Sequence, residues 1–443
     1  MNKLINRAII ILIFAVCICS QLRSQDEFKF DDQGKRAVTL KFRSLNNLII
    51  LSASLNGESI NFLVDTGVNK TKVFAQVKDS TVLEGAEFIS LRSLGSSDPV
   101  KAYKTTDNKI DFGPLYGDNQ EVYYITDPRY DLASKLGINV QGIIGYDFLR
   151  HFIFRLNYNR NSLRIYQHEK FNRKLRRFDN LEFRTIRNKP HLKLPVKFLD
   201  GSNKELVFLL DTGSGDAFWI FENDKITAPE HSFEDYVGYG LELVVSGKRS
   251  KLKTVNIGDY DLEMPRVAFI DSTSAELFTA DRYKNGIIGS EILRRFVIFL
   301  DYKNRDIFLK PSASFNDNSN YDRSGLILLF VGEEITSVKT PIFVRVDEET
   351  NYSKKNTSKD FDIRLEISKI LKVVKIRPNS PASEIDILEG DRILKLDGKN
   401  VNRMNLEEIN NLLRSEQGKR IKIQLKRGKA ILKRELFLSS QLN

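Results

Sequence analysis

The stretch "VFLLDTGSGDAFWI" occupies positions 207–220, and its reading decides the fold. An apolar run leads straight into Asp211, although carboxylates are almost never fully buried unless paired. A near copy, "INFLVDTG" at 60–67, ends its own apolar run on Asp65. A second pair of segments follows: "GIIGYDFLRHFIFRLNYNRNSLRIY" (142–166) aligns without a gap against "GIIGSEILRRFVIFLDYKNRDIFLK" (286–310). Internal repetition of this kind organises a chain. Two homologous units, each running from a D-T-G to a G-I-I-G, supply each acid with its partner.

Both units are dominated by short β-branched and aromatic runs punctuated by Gly, Asn and Asp, with hairpin signals at "NG" (56–57) and "DG" (200–201). Helical periodicity is confined to short pieces such as "YDFLRHF" and "SEILRRF", just after each G-I-I-G. The expected fold is mainly β: two homologous β-barrel lobes, 37–168 and 180–311, joined by a basic linker at 169–179. A polar, turn-rich linker at 312–325 leads to a smaller α+β domain at 326–443. Within that domain "NLEEINNLLRS" reads as a helix with Leu406, Ile409 and Leu413 on one face.

A length of 443 residues fits roughly three domains of about 150 residues each, and 41% hydrophobic residues is ordinary for a globular chain. At the N-terminus, Lys3 and Arg7 precede the apolar run "AIIILIFAVCIC" (8–19), which is too short to span a bilayer. The segment 1–24 reads as a secretory signal peptide, with cleavage after Ser20 or Ser24, the latter preferred. Export to a periplasmic, cell-envelope or secreted location follows, with no integral membrane span after signal removal. Both cysteines, Cys17 and Cys19, fall inside this segment, so the mature chain has no disulfide and no thiolate site.

The formal charge of +11 falls to +8 without residues 1–24, and much of the excess lies in 170–178 and 419–434. The second tract alternates apolar and basic residues, as a strand with one wet face does, and no nucleic-acid-binding signature accompanies it. It reads as solvated surface, and no nucleic-acid partner is expected. The chain has no G-x-S-x-G, no H-E-x-x-H and no Walker P-loop, and its four histidines are scattered without ligand spacing. Neither a metal nor a cofactor is expected.

The chemistry that needs an acid at the end of a buried strand, twice, is paired-carboxylate chemistry. In each D-T-G the Thr hydroxyl can lock one loop to its counterpart, while the Gly permits close backbone approach and offers an N–H to the carboxylate. If the loops meet about a pseudo-twofold axis, the two carboxylates cannot both ionise cheaply. One keeps a proton while the other acts as base on a water that attacks a peptide carbonyl.

The paired D-T-G tripeptides with their I-I-G segments resemble the aspartic peptidases of the pepsin and retropepsin type, over about 37–311. That resemblance implies Asp65 and Asp211 as the catalytic pair and Thr66 and Thr212 as interlocking hydroxyls. It also implies Gly67 and Gly213 as close-approach positions, with Ser214 supporting its loop. Val68 departs from the family pattern, because it offers no hydroxyl to the first carboxylate. A flap over the substrate is implied as well, with Tyr239 in 236–258 as its candidate aromatic and 93–105 as the counterpart in the first unit.

The segment 373–401 is similar to PDZ domains of bacterial envelope proteases, on Ser380, Pro381, Ala382, Gly390, Asp391, Asp397 and Gly398. That likeness implies a peptide added as a strand beside the helix at 405–415, on Leu406, Ile409 and Leu413, with a carboxylate-binding loop near "RSGLIL" (323–328). The expectation is therefore an aspartic endopeptidase acting on peptide or protein substrates, with a complete active site in one monomer. Its PDZ-like domain would recruit or gate substrate. The alternative is a non-catalytic peptide- or protein-binding module of the bacterial envelope.

Overall fold

The computed structural model describes residues 27–442 apart from 75–82, 84, 92–99, 128–138, 173, 240–243, 272–283 and 342–360. The expected signal segment 1–24 lies outside the described residues. No helix among the described residues is long and apolar enough to cross a membrane.

Among the described residues there are four sheets: one of nine strands in the first lobe, one of ten in the second, and two of six. The first lobe includes the short strand Lys29–Phe30, upstream of the expected boundary at 37, which pairs with Leu115–Ile125. In each lobe the strand that leads into the acid runs parallel to the G-I-I segment. Glu58–Val64 pairs with Gly142–Ile144, and Asn203–Leu210 with Gly286–Ile288. Phe62 and Phe208, each three positions before an Asp, are 0% exposed. Burial of one such ring stabilises by about 1.5–3 kcal/mol.

The two lobes share a floor. One six-stranded sheet takes Ala37–Lys41, Ile153–Asn157 and Ser162–Tyr166 from the first unit, and Phe296–Asp301 and Asp306–Pro311 from the second. Its last strand, Asp179–Glu182, follows the basic linker and pairs with Asp306–Pro311. At its centre Ile153–Asn157 lies antiparallel to its own repeat counterpart, with Phe154 opposite Leu300 and Leu156 opposite Ile298. That central pairing of counterparts is the local axis of the duplication.

The segment 312–325 is a packed strap. The Ser312 N–H donates to Arg295 O, Arg295 donates to Ser319 Oγ, and Arg266 donates to Asn320 O. Beyond it the C-terminal domain has its own apolar core around Leu371, Val373, Ile393, Ile409 and Ile423. Its helix Leu406–Leu413 starts at a capping box: Asn405 Oδ1 accepts from the Glu408 N–H, and Glu408 Oε2 accepts from the Asn405 N–H.

Candidate active site

The two D-T-G loops meet at the junction of the lobes, and each is held by the same local bonds. The Asp65 N–H donates to Ile144 O and the Asp211 N–H to Ile288 O, both at 2.9 Å. The last glycine of each G-I-I-G is required by close approach: a Cβ on Gly145 would lie 2.1 Å from Val68 O, and one on Gly289 2.3 Å from Asp216 O. The threonines interlock across the axis. Thr66 Oγ1 donates to Leu210 O and accepts from the Thr212 N–H, while Thr212 Oγ1 donates to Val64 O and accepts from the Thr66 N–H, at 2.6–3.1 Å. Both threonines are buried. Four bonds between groups withdrawn from water fix the separation of the strand ends, and with it that of the two acids.

Each carboxylate accepts one backbone N–H from its own glycine: Gly67 to Asp65 Oδ1 at 2.6 Å, Gly213 to Asp211 Oδ1 at 2.8 Å. Each also faces the opposite glycine. A Cβ on Gly213 would sit 2.4 Å from the Asp65 carboxyl, and one on Gly67 3.2 Å from that of Asp211. Burial, and then the facing Asp211 carboxylate, pushes Asp65 well above the usual carboxylate range. Two facing carboxyls cannot both ionise cheaply, which favours a single proton shared by the pair.

Ser214 supports its loop through the backbone: its carbonyl accepts the Ser290 N–H at 2.7 Å, just as Val68 O accepts the Tyr146 N–H at 2.9 Å. Its hydroxyl faces Gly289 and makes no hydrogen bond to Asp211. The difference between Val68 and Ser214 thus leaves the two acids equally served by their loops. The asymmetry lies beneath them. Tyr158 Oη donates to Ser290 Oγ at 2.8 Å, and Ser290 Oγ donates to Thr212 O at 3.1 Å. In the other half Tyr302 meets Tyr146 edge-on, and its buried hydroxyl has no partner among the described residues. The gapless alignment of 142–166 with 286–310 already set Tyr158 opposite Tyr302, so this difference was available to sequence reading and was missed.

Around the acids lies a cavity of about 410 Å³, lined by both D-T-G loops, Asn46, Asn47, Trp219, Val237, Gly238, Arg249, Arg266 and Lys284, and by Asn410 and Arg414 of the C-terminal domain. Tyr239 ends the strand Phe233–Tyr239, which pairs with Val244–Lys251; the tip of that hairpin and the Tyr239 side chain fall outside the described residues. The first-unit candidate, 93–105, spans the connection between Glu87–Leu91 and Val100–Asp111, and its residues 93–99 are likewise outside them. Asp216 ties the hairpin to the second D-T-G loop: it pairs with Arg249 and accepts from Trp219 Nε1 at 2.9 Å. Burial would raise Asp216, but Arg249 and Arg266 outweigh it and hold the group below its ordinary value. Among the described residues no cluster of three or more His, Cys, Asp or Glu is arranged to hold a metal ion.

The C-terminal domain departs from expectation in two ways. Leu406, Ile409 and Leu413 are 5%, 0% and 1% exposed and pack into the domain's own core, so they do not line a peptide groove. The stripe at i, i+3, i+7 marks a buried face, and here the buried face is internal. In the loop expected to bind a terminal carboxylate, the N–H groups are already committed. Ser324 and Gly325 donate to Asp322 Oδ1, Leu326 to Ser324 Oγ, and Arg323 to Leu413 O.

Residues 51–148 match the family model described as Aspartyl protease, and residues 372–427 match that of the PDZ domain. The first match contains Asp65 and its G-I-I-G, and the D-T-G loop of the second unit lies outside it. Among solved structures, the aspartic proteinase from Irpex lacteus aligns over 64% of this chain and 100% of its own length, at 13% identity and a TM-score of 0.39. No curated protein matches the chain. The fold is mostly β, with two aspartic-proteinase-like lobes followed by a PDZ domain.

Proposed function

We propose that this chain is an aspartic endopeptidase in which Asp65 and Asp211 activate a water molecule against a peptide bond. The observation that carries the reading is the interlock of Thr66 with Thr212, which brings two acids from one chain into a single cleft, where burial and the facing carboxylate push Asp65 above the usual carboxylate range. In this reading the Asp211 carboxylate takes a proton from water as the water oxygen attacks the scissile carbonyl. Asp65 donates its proton to the carbonyl oxygen, giving a neutral tetrahedral diol. Transfer of the proton from Asp211 to the amide nitrogen, with return of a diol proton to Asp65, breaks the C–N bond and restores the pair. Every transfer stays within the dyad, the water and the substrate.

The setting we propose is outside the cytoplasm, on the strength of residues 1–24, and the substrates are peptides or unfolded protein segments. The test is incubation of the chain lacking residues 1–24 with a mixed peptide library from about pH 4 to 7, the span in which a proton-sharing pair is singly ionised. Cleavage by the parent that disappears in both Asp65→Asn and Asp211→Asn, with folding intact, supports the reading. Equal cleavage in the variants, or none in any form, overturns it.

A further inference from the structure

The C-terminal domain is built into the cleft. Its strap is seated by Tyr321, whose hydroxyl accepts the Val267 N–H at 2.9 Å, while Arg249 and Arg266 each place a guanidinium 5.5 Å from its ring. The inner face of helix Leu406–Leu413 fills the domain core, and residues 410 and 414, one turn apart, lie on the other face. Asn410 donates to Asn46 Oδ1 at 3.0 Å, and Asn47 donates to Gly215 O at 3.1 Å. A first-lobe turn thus joins the PDZ helix to the second catalytic loop.

Arg414 stands apart from the other cleft cations. Arg249 pairs with Asp216 and Asp235, and Arg266 is 3.6 Å from Glu291. Among the described residues Arg414 has no ion pair, and its Nε, like that of Arg266, is buried without a hydrogen-bond partner. Burial, and then the neighbouring Arg266 charge, pulls it down to about 10. Two cations side by side in a partly desolvated cleft repel, and an anion between them relieves both costs. Arg414 also lines a second cavity, of about 520 Å³, together with Asn46, Asn47, Arg266 and Asn410, so a peptide lying across the dyad has room to pass it.

We infer that the PDZ helix forms one wall of the substrate cleft and that Arg414, with Arg266 beside it, binds a carboxylate of the peptide being cut. This rests on the peptidase reading for the nature of the ligand. The domain then selects substrate at the cleft itself, and acidic peptides are the preferred class.

The test uses the chain lacking residues 1–24 and a capped peptide series in which one Glu is moved through the positions flanking a common scissile bond, with Ala as reference. An uncapped Ala peptide distinguishes a terminal from a side-chain carboxylate. The parent is expected to favour one carboxylate position over Ala by about tenfold in kcat/KM, the worth of a charge-assisted hydrogen bond. Arg414→Glu brings that ratio to one or below, and Arg414→Gln falls between; thermal melts of both establish that they fold. The same ratios are read by fluorescence anisotropy as peptide binding to Asp211→Asn. Cleavage with no positional preference, or a preference that survives Arg414→Glu, overturns the role of Arg414. Selective binding without cleavage in the parent keeps that role and overturns the peptidase reading.

Discussion

Arg377 of the PDZ domain grips both carboxylate oxygens of Asp235 on the Phe233–Tyr239 strand, through Nε at 2.9 Å and Nη2 at 3.1 Å. Asp235 also accepts from Arg249 Nε at 3.1 Å, and Arg249 pairs with Asp216 just beyond the second D-T-G. A line of alternating charge, Arg377–Asp235–Arg249–Asp216, runs from the C-terminal domain to the acids. All four are withdrawn from solvent, so removing one leaves its neighbour short of a partner.

Arg377→Ala is expected to destabilise the protein by about 2–4 kcal/mol, somewhat less than a fully orphaned buried charge because Arg249 still serves Asp235. Urea unfolding measures it. Arg377→Lys recovers part of the loss at most, since an ammonium cannot make the two-pronged contact.

Asp65 sets a pH dependence of stability with a definite sign. Below about pH 4, the ordinary carboxylate value, it is protonated in both folded and unfolded chains and contributes nothing. As pH rises through that value the unfolded chain releases the proton while the folded chain keeps it, so stability falls until the folded group ionises as well. Asp65→Asn is therefore expected to melt higher than the parent at pH 7 and at the same temperature at pH 3. In the parent, the alkaline limb of kcat/KM should lie above the usual carboxylate range.

Gly213 and Gly67 differ in the room they leave. A Cβ at Gly213 collides with the Asp65 carboxyl at 2.4 Å, whereas one at Gly67 meets the Asp211 carboxyl at 3.2 Å, a contact that a small shift accommodates. Gly213→Ala should abolish cleavage, while Gly67→Ala retains a measurable fraction; peptide turnover on folded protein compares them.

Thr66→Val and Thr212→Val each leave a buried carbonyl and a buried N–H without partners, at a cost of about 1–3 kcal/mol per variant. The hydroxyl-retaining Thr→Ser variants stay close to the parent. Each hydroxyl makes two bonds of its own and none is shared, so any departure of the double valine variant from the sum of the single losses measures how far one loop's position depends on the other. A double-mutant cycle from denaturant unfolding reads this directly.

The duplication was legible because D-T-G and G-I-I-G are local signatures in which strand, tight loop and close approach each demand a residue type. The interlock of Thr66 with Thr212 follows once the two loops are placed face to face. The docking of the PDZ domain was not legible: Asn46 and Asn410 are 364 residues apart, and a pair of asparagines carries no periodicity. The self-satisfied loop was hidden for another reason. Asp322 looks like any linker acid until its side chain is seen to take the N–H groups of Ser324 and Gly325. Arg414 follows directly on Leu413, and the apolar stripe that ends there marks the opposite face of the helix.

The shared floor has a consequence in time. Phe154 finds its partner, Leu300, only after almost the whole second unit has been made, and neither lobe can complete that sheet alone. Pairings so distant along the chain carry a large loop-closure cost and form late. A ribosome releasing this chain therefore releases two inert halves first. The acids come to face each other only after both halves have closed around a common seam, so the paired cleft is a property of the finished molecule.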